Sequence, residues 1–295
     1  MGEPRAAVVE LPFCDWTEAS PESVRCRATD ELESGAVISL PGLEFGLSPA
    51  ELALLDPRIL AKAKNVSYDP AAGNLGGSAC VGAEAEVLSA CLARFSRSAA
   101  GLVHNLLPAY GPLLEVKRAS LRPAEIAGRA SSWRKDDTLL HVDAFPSQPT
   151  RGARILRVFS NVNPQGKPRV WRLGEPFEAV AGRFLPGIRR PLPGSARMLR
   201  LMRVTKNLRS EYDHTMLRLH DAMKSDLDYQ TSVGGSVALF EPGTTWIVYA
   251  DSVSHAALSG QHQFEQTFLL PVRGMHDPDK SPLRILERMR GRKLA

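Results

Sequence analysis

The pattern of apolar and polar positions along the chain changes near residue 115. Before this point apolar residues recur at helical spacing, most clearly over residues 84–106. Residues 48–63 also predict a helix, because Ser48 and Glu51 stand three apart in a capping-box pattern at its start. We therefore predict a mainly helical N-terminal region over residues 1–110.

After residue 115 the pattern is typical of strands separated by turns. Short apolar runs, among them TLLHV, RILRVFSNV, SVALF, TWIVYA and QTFLLPV, are bounded by Pro, Gly and Asn. Residues 210–226 predict one inserted amphipathic helix, and residues 280–295 predict a C-terminal helix that is basic along one side. The pattern indicates a mostly β protein with added helices (α+β). We expect one domain over residues 1–295, with a β core over residues 115–275.

Composition narrows the classes of partner and of site. The 295 residues carry a net charge of +5, which favours anionic partners. The apolar runs are shorter than the ~20 residues of a membrane span, and the N-terminus does not resemble a secretory signal, so a cytoplasmic protein is expected. The four cysteines have no C-x-x-C pairing and are expected to be reduced thiols: Cys14, Cys26, Cys80 and Cys91.

The clearest candidate chemistry lies in the stretch TLLHVD. His141 and Asp143 are two apart, and alternate side chains of a strand point the same way. Such a pair could supply two ligands of a two-histidine, one-carboxylate metal site, although it is also a common strand-end hydrogen-bonding pattern. A third ligand could be His255 or His262. We favour His255, because His262 follows Gly260 in a predicted turn.

This layout resembles the iron(II)- and 2-oxoglutarate-dependent oxygenases. The resemblance implies a double-stranded β-helix, which is a jelly-roll, cupin-like fold. It also implies that His141, Asp143 and His255 bind the metal and act as the catalytic residues. A cupin-like barrel that binds a sugar or lipid without catalysis is the alternative from a different class.

The resemblance further implies a cation for the far carboxylate of 2-oxoglutarate, since a buried carboxylate needs such a partner. The strand FEQTFLLP has no basic residue before Arg273, so a second arrangement of this enzyme class fits better. In it Arg157 holds the carboxylate, and Thr138 and Gln266 add hydrogen bonds. Arg154 is expected to be more exposed than Arg157, and a solvent-facing Arg157 remains the alternative.

Longer strings are similar to one family, the Kdo hydroxylases. They include SSWRKDDTLLHVDAFPSQPTRGARILRVFSNVNP, YDHTMLRLHDAMKSD and SVSHAALSGQHQFEQTFLLPV, and the resemblance spans most of residues 100–275. It implies hydroxylation of 3-deoxy-D-manno-octulosonic acid (Kdo) at C3 on Kdo-lipid A, which gives Ko in the lipopolysaccharide inner core. Fe(II), 2-oxoglutarate and O2 would be required, with ascorbate as a stimulant.

An acidic sugar needs cationic and stacking partners. RASSWRKDD supplies candidates just before the metal strand, and NVNP supplies two more: Arg129, Trp133, Arg134, Lys135, Asn161 and Asn163. A solvated charged loop and ordinary turn chemistry are the respective alternatives. His214 and His220 are six apart on a helix, on roughly opposite faces, so they are expected to be surface or packing residues rather than ligands.

Kdo-lipid A is anchored in a membrane, so peripheral contact with the inner membrane is expected. The tail over residues 282–295 has basic residues beside apolar ones, as in helices that lie on anionic membrane. A packed terminal helix with solvated arginines is the alternative. An oxygenase that acts on protein or nucleic acid is also compatible with the basic pI, but no nucleic-acid-binding signature accompanies it, so no nucleic acid partner is expected.

Overall fold

The computed structural model describes residues 6–12, 15–129 and 131–295. The strands are β1 (Val8–Glu10), β2 (Val37–Leu40), β3 (Val66–Asp69), β4 (Asn74–Gly76), β5 (Glu115–Arg122), β6 (Arg154–Asn161), β7 (Arg169–Leu173), β8 (Ser236–Phe240), β9 (Thr245–Tyr249), β10 (His255–Ser259) and β11 (Gln263–Leu270). The helices are α1 (Glu22–Glu33), α2 (Pro49–Leu52), α3 (Gly82–Leu106), α4 (Phe177–Phe184), α5 (Ser195–Leu201), α6 (Glu211–Ser225), α7 (Leu227–Ser232) and α8 (Pro282–Arg290).

Two sheets form the β core. The larger has eight strands in the order β1-β2-β9-β6-β11-β5-β3-β4, and the smaller has three in the order β10-β7-β8. Aromatic side chains fill the space between the sheets, where Phe159 and Trp246 of the large sheet pack on Trp171 of the small one. This arrangement is the jelly-roll, double-stranded β-helix core that the sequence predicts, within a mixed α+β protein.

Helices cover the outer face of the large sheet. The apolar stripe of α3 is buried against β11, where the rings of Phe95 and Phe264 lie 5.0 Å apart. The helical spacing of this stripe is the reason why the helix packs with one face only. The sheet therefore has a helix-covered outer face and an inner face that is available for a site.

The N-terminal region contains more β structure than predicted. β2 pairs with β9 and β3 pairs with β5, so both belong to the large sheet. β2 is buried at every position, and such a run has no period-2 alternation by which a strand could be recognised. The capping box at Ser48 and Glu51 is present, but α2 ends at Leu52, before Asp56 and Pro57.

The inserted and terminal helices lie where the sequence predicts them. α6 matches residues 210–226, and α8 begins at Pro282. Leu283, Ile285 and Leu286 of α8 are buried in the main core. The apolar side of this helix is therefore unavailable to a lipid surface, which corrects the expectation for the tail.

Two expectations from composition can be compared with the structure. Within the described ranges no helix combines the length and hydropathy that a bilayer crossing needs. Cys26, Cys80 and Cys91 are free thiols, and Cys14 lies outside the described residues.

Candidate metal centre and its cleft

His141, Asp143 and His255 are brought together by backbone pairing. The amide of His141 donates to the His255 carbonyl at 3.0 Å, and the amide of His255 donates to the His141 carbonyl at 2.9 Å. The Asp143 amide donates to the Ala250 carbonyl at 2.8 Å. One potential ligand atom of each of the three side chains lies within 4.8 Å of the other two. His255 begins β10, whereas His141 pairs with it through an isolated bridge, so the strand predicted over TLLHV is reduced to this one bridge. These backbone hydrogen bonds fix the three side chains around one point.

Hydrogen bonds orient both imidazoles toward this point. Nδ1 of His141 donates to the Leu139 carbonyl at 2.7 Å, and Nδ1 of His255 donates to the Val253 carbonyl at 2.8 Å. Because Nδ1 carries the proton, Nε2 is left as the ligand atom of each ring. The Trp171 ring stacks on His255 with a centroid distance of 4.9 Å, which holds that ring from one side.

The protonation states suit a divalent cation. Burial lowers the pKa of His141 and of His255, so both rings are neutral at physiological pH. Burial acts to raise the pKa of Asp143, but the combined effect of its neighbours, of which Arg157 contributes most, lowers the pKa of this carboxyl overall. Neutral imidazoles and an ionised carboxylate are the forms that bind metal. The donor set fits the two-histidine, one-carboxylate triad of non-heme iron oxygenases.

His262 is not part of this cluster. It occupies the turn between β10 and β11 with a φ of 59°, and its carbonyl accepts the Val162 amide at 3.0 Å. Over the described residues, the group of three or more side chains that could hold one metal ion is His141, Asp143 and His255.

Arg157 lies on the inner face of the large sheet beside the triad. Its Nε is 2.9 Å from Oδ2 of Asp143, although the N–H is not directed at that oxygen, and its NH1 pairs with Glu265. Its side chain is only 11% exposed, so the solvent-facing alternative does not hold. Arg157 thus lies between the carboxylate of Asp143 and that of Glu265 on β11.

Two further arginines occupy the same interior, and the sequence analysis did not identify them. Arg122 on β5 lies 3.0 Å from Glu265 and 3.2 Å from Asp137. Arg169 on β7 donates to the Gly260 carbonyl at 2.6 Å. Burial, together with Arg122, lowers the pKa of Arg169 to about 9. Strand alternation could have shown that Arg169 points inward, because it stands two residues before the inward-facing Trp171 on β7.

These three arginines have buried donors that lack acceptors. The Nε groups of Arg122, Arg157 and Arg169 have no hydrogen-bond partner within the described part of the chain. A buried donor without a partner is costly, and cations in the interior oppose one another. The interior next to the triad is therefore suited to an anionic ligand such as a dicarboxylate.

The structure turns Gln266 away from this cluster and gives the Thr138 hydroxyl a local partner. The Thr138 hydroxyl donates to Asp136 at 2.7 Å, within a local turn. Gln266 pairs in register with Val158, whose side chain points to the helix-covered face, and its amide donates to the Lys117 carbonyl at 2.8 Å. Alternation along β11 therefore turns Gln266 away from Arg157. The prediction that Gln266 faces the cosubstrate was wrong.

Arg154 is more deeply buried than predicted. It is 1% exposed, its Nε lies 2.8 Å from Oδ2 of Asp251, and its guanidinium lies 3.8 Å from the centre of the Tyr249 ring. The expectation of an exposed Arg154 was wrong, because the first residue of β6 is covered by the segment that follows β9.

A cleft of about 640 Å³ opens beside the interior arginines. Its residues come from the inner face of the large sheet and from two loops: Asn65, Ser67, Asp69, Ala71, Val116, Lys117, Arg118, Ser120, Arg122, Phe145, Gln148, Pro149, Arg157, Lys206, Asn207, Glu265, Thr267 and Leu269. Five of these residues are basic and two are acidic. A second cavity of about 610 Å³ contains Glu31, Glu33, Glu175, Glu178 and Asp279. Its acidic lining disfavours an anionic ligand, so the first cleft is the better substrate site.

The loop before His141 lies outside the lining of this cleft. The Arg134 guanidinium lies 4.1 Å from the centre of the Trp133 ring, and its Nε is 3.2 Å from Asp221. Arg129 and Lys135 are exposed, and the Lys135 carbonyl accepts Lys64. None of the four candidates lines the cleft.

The side chains of Asn161 and Asn163 form hydrogen bonds that stabilise the turn after β6. Nδ2 of Asn161 donates to the Phe240 carbonyl at 2.8 Å, and Oδ1 of Asn163 accepts the Gln165 backbone amide at 2.9 Å. Asn161 is also four residues beyond Arg157 on β6, which is roughly 13 Å along a strand. The two residues therefore do not line the cleft.

α6 contributes side chains that the sequence analysis did not assign to the site. The His220 ring lies 5.4 Å from the His141 ring, edge to face, while His214 Nε2 meets the Arg189 carbonyl at 3.1 Å. Lys224 is one turn beyond His220, is 2% exposed, and donates to the Arg134 carbonyl at 3.2 Å. His220 is thus a packing residue, as expected, but the residue it packs on is a candidate metal ligand.

Comparisons with known proteins identify the family of the chain. The family model of 3-deoxy-D-manno-oct-2-ulosonic acid (Kdo) hydroxylase matches residues 15–293. A crystal structure of the Kdo hydroxylase KdoO, a non-heme Fe(II) alpha-ketoglutarate-dependent dioxygenase, in complex with cobalt(II) is 47% identical, with a TM-score of 0.95 and coverage of 97% of each chain. The same enzyme with alpha-ketoglutarate and Fe(III) is 46% identical over 98% of this chain and 97% of that one, with a TM-score of 0.95. No curated protein has a sequence that matches the chain significantly.

Proposed function

The chain belongs to the Kdo hydroxylase family, and on this premise we propose that it hydroxylates C3 of Kdo on Kdo-lipid A. It is an Fe(II)- and 2-oxoglutarate-dependent dioxygenase. The observation that carries the proposal is the placement of the His141, Asp143 and His255 cluster beside a basic interior and an open cleft.

His141, Asp143 and His255 are the proposed metal ligands. Iron bound there would supply, with 2-oxoglutarate and O2, the oxidising power that hydroxylation of a C–H bond requires. The chain's own part is to hold the ion through two oriented Nε2 atoms and one carboxylate. Arg157 is the neighbour that contributes most to lowering the pKa of that carboxylate.

Arg157 and Arg122 are the proposed partners of the far carboxylate of 2-oxoglutarate. Both approach Glu265 and both have an unpartnered buried Nε, so they offer donors to an incoming dicarboxylate. Thr138 and Gln266 are not part of this proposal, because the Thr138 hydroxyl donates to Asp136 and Gln266 points to the opposite face of β11 from Arg157.

The cleft is the proposed site of the sugar. Hydroxyls of Ser67, Ser120 and Thr267 give it a polar floor, while Lys117 and Arg118 supply charge for an acidic sugar. Charge-assisted hydrogen bonds of this kind discriminate against neutral sugars. Arg129, Trp133, Arg134 and Lys135 are kept as contacts for the more distant part of a large glycolipid.

The glycolipid substrate also sets the proposed location, which is the cytoplasmic face of the inner membrane. Peripheral attachment is consistent with the described residues, whose helices cannot cross a bilayer. The lipid A context is part of the proposal, as is the contact with the membrane.

Mass spectrometry of Kdo-lipid A tests the proposal. The protein is incubated with Fe(II), 2-oxoglutarate, ascorbate and air, and we expect one oxygen atom to be gained on the sugar, with one succinate released per turnover. Omission of 2-oxoglutarate should abolish the gain. Succinate release with no change in the glycolipid would point to a protein or nucleic acid substrate, and binding without succinate would point to a non-catalytic barrel.

A further inference from the structure

A strongly basic segment lies between α4 and α6. Residues 189–209, called the basic segment below, contain seven arginines and lysines and no aspartate or glutamate. Arg189, Arg190, Arg197, Arg200, Arg203 and Lys206 are all exposed. No acidic side chain within the described ranges forms an ion pair with any of the six, whereas exposed Arg58 and Arg288 each have one. The positive charge of the segment is thus uncompensated.

The same segment exposes large apolar side chains. Leu192 is 78% exposed, Leu201 is 84% exposed and Met202 is 65% exposed, and Met198, Val204 and Leu208 are also exposed. α5, in the middle of the segment, has no buried residue. A soluble surface rarely gathers this much apolar area in one place unless something covers it. Apolar side chains interspersed with unpaired cations are typical of surfaces that lie on anionic lipid.

Hydrogen bonds attach the basic segment to the mouth of the cleft. The Lys206 amide donates to the Ser147 carbonyl at 3.0 Å, and Arg209 donates to the Pro146 carbonyl at 2.7 Å. Both acceptors belong to the loop that follows Asp143. Lys206 and Asn207 themselves line the cleft. Whatever covers the segment is therefore next to the entrance of the proposed substrate site.

We infer that the basic segment is a membrane-docking surface, which binds anionic phospholipid through its arginines and inserts Leu201 and Met202 among the acyl chains. The purpose of this docking rests on the proposed function. When the basic segment is bound to the membrane, the adjacent cleft faces the glycolipid substrate. The lipid surface is favoured over a protein partner by the unpaired charge of one sign along the whole segment. α8 is not the docking element, because its apolar residues are in the core.

Vesicle sedimentation tests the inference with the full-length protein. Vesicles of phosphatidylglycerol and phosphatidylcholine are compared with vesicles of phosphatidylcholine alone. We expect salt-reversible binding to the anionic vesicles only. Leu201→Ser/Met202→Ser and, separately, Arg197→Glu/Arg200→Glu should each weaken this binding at least tenfold.

Two matched controls carry similar changes elsewhere on the surface. Val81→Ser removes a side chain that is 81% exposed but lies outside the segment. Arg27→Glu/Lys62→Glu changes the net charge as much as the double arginine variant, at two exposed positions. Both controls should bind anionic vesicles like the unaltered protein. Equal weakening by the control charge change would overturn the inference, since only net charge would then matter.

Turnover separates this inference from the proposed function. The segment variants should hydroxylate detergent-dispersed Kdo-lipid A at the unaltered rate and vesicle-embedded Kdo-lipid A at least tenfold more slowly. If neither the unaltered protein nor any variant hydroxylates Kdo-lipid A in detergent or in vesicles, while vesicle binding changes as expected, the proposed function is wrong and the docking surface is supported. If the segment variants bind vesicles normally, the docking surface fails whatever the activity.

Discussion

The identity of the third metal ligand is decided at the scale of single side chains. His255 has its Nδ1 bonded to a carbonyl and its ring stacked on Trp171, which leaves Nε2 directed at Asp143 and His141. We predict that His255→Ala abolishes turnover and stoichiometric Co(II) binding, measured by absorption and metal analysis. His262→Ala should retain both, because His262 lies in the turn beyond β10. Metal loss in His262→Ala with full binding in His255→Ala would reverse the assignment.

The interior arginines give a second prediction at this scale. Arg157→Ala and Arg122→Ala should each raise the KM for 2-oxoglutarate at least tenfold, because each loses a charged hydrogen bond worth about 1.5–3 kcal/mol. Arg273→Ala is the control, since Arg273 is exposed and follows β11. Steady-state succinate release at varied 2-oxoglutarate measures the effect. A raised KM in Arg273→Ala alone would place the cosubstrate on the other strand.

A third prediction concerns the cysteines. Burial raises the pKa of Cys91 to about 12, so its reactive thiolate is scarce at pH 8. Iodoacetamide at pH 8 should therefore modify exposed Cys26 in the native protein and spare Cys91. Peptide mass mapping after native and denatured labelling checks this. Native labelling of Cys91 at the rate of Cys26 would show that α3 does not bury its stripe as the structure describes.

At the scale of elements, the strongly patterned segments were predictable and the interior charges were not. The helices α3 and α6 follow from long 3.6-residue stripes. The proximity of His141 and Asp143 was predicted from strand alternation, although the structure has only an isolated bridge at His141 in place of that strand. β2 was missed because a fully buried strand has no polar alternation. Arg122 and Arg169 were missed because only the pairing of distant strands shows that they point inward at one ligand. Gln266 was misplaced because the face of β11 depends on its register.

An ion pair between elements offers a prediction on stability. Arg154 at the start of β6 pairs with Asp251, in the segment that leads from β9 to His255, and both side chains are 1% exposed. Asp251→Asn should lower the free energy of unfolding by about 3–5 kcal/mol, because an unpaired buried guanidinium remains. Urea denaturation followed by circular dichroism measures this loss. Arg154→Met/Asp251→Asn should recover part of it, and a double variant less stable than Asp251→Asn would contradict the argument.

At the scale of the whole molecule, the barrel interior holds buried arginines whose hydrogen-bond donors its described residues do not all satisfy. Arg122 opposes the charge of Arg169 and helps to lower its pKa, and buried donors of both arginines lack acceptors. A bound dianion would satisfy these donors and lower the repulsion. The ligand-free fold is thus less stable than its packing alone would allow, and ligand binding should be visible in its thermal stability.

We therefore predict that 2-oxoglutarate raises the melting temperature of the Co(II)-loaded protein. At a concentration of 100 times its Kd, a ligand that binds only the folded state adds about 2.7 kcal/mol, which for a chain of this size is a rise of several degrees. Differential scanning fluorimetry with Co(II) alone, and with Co(II) plus 2-oxoglutarate, measures the increment. Arg157→Ala should lose most of it and Arg273→Ala should keep it. An increment that survives in both Arg157→Ala and Arg122→Ala would mean that the dicarboxylate binds away from these arginines, and that their unpartnered donors have another function.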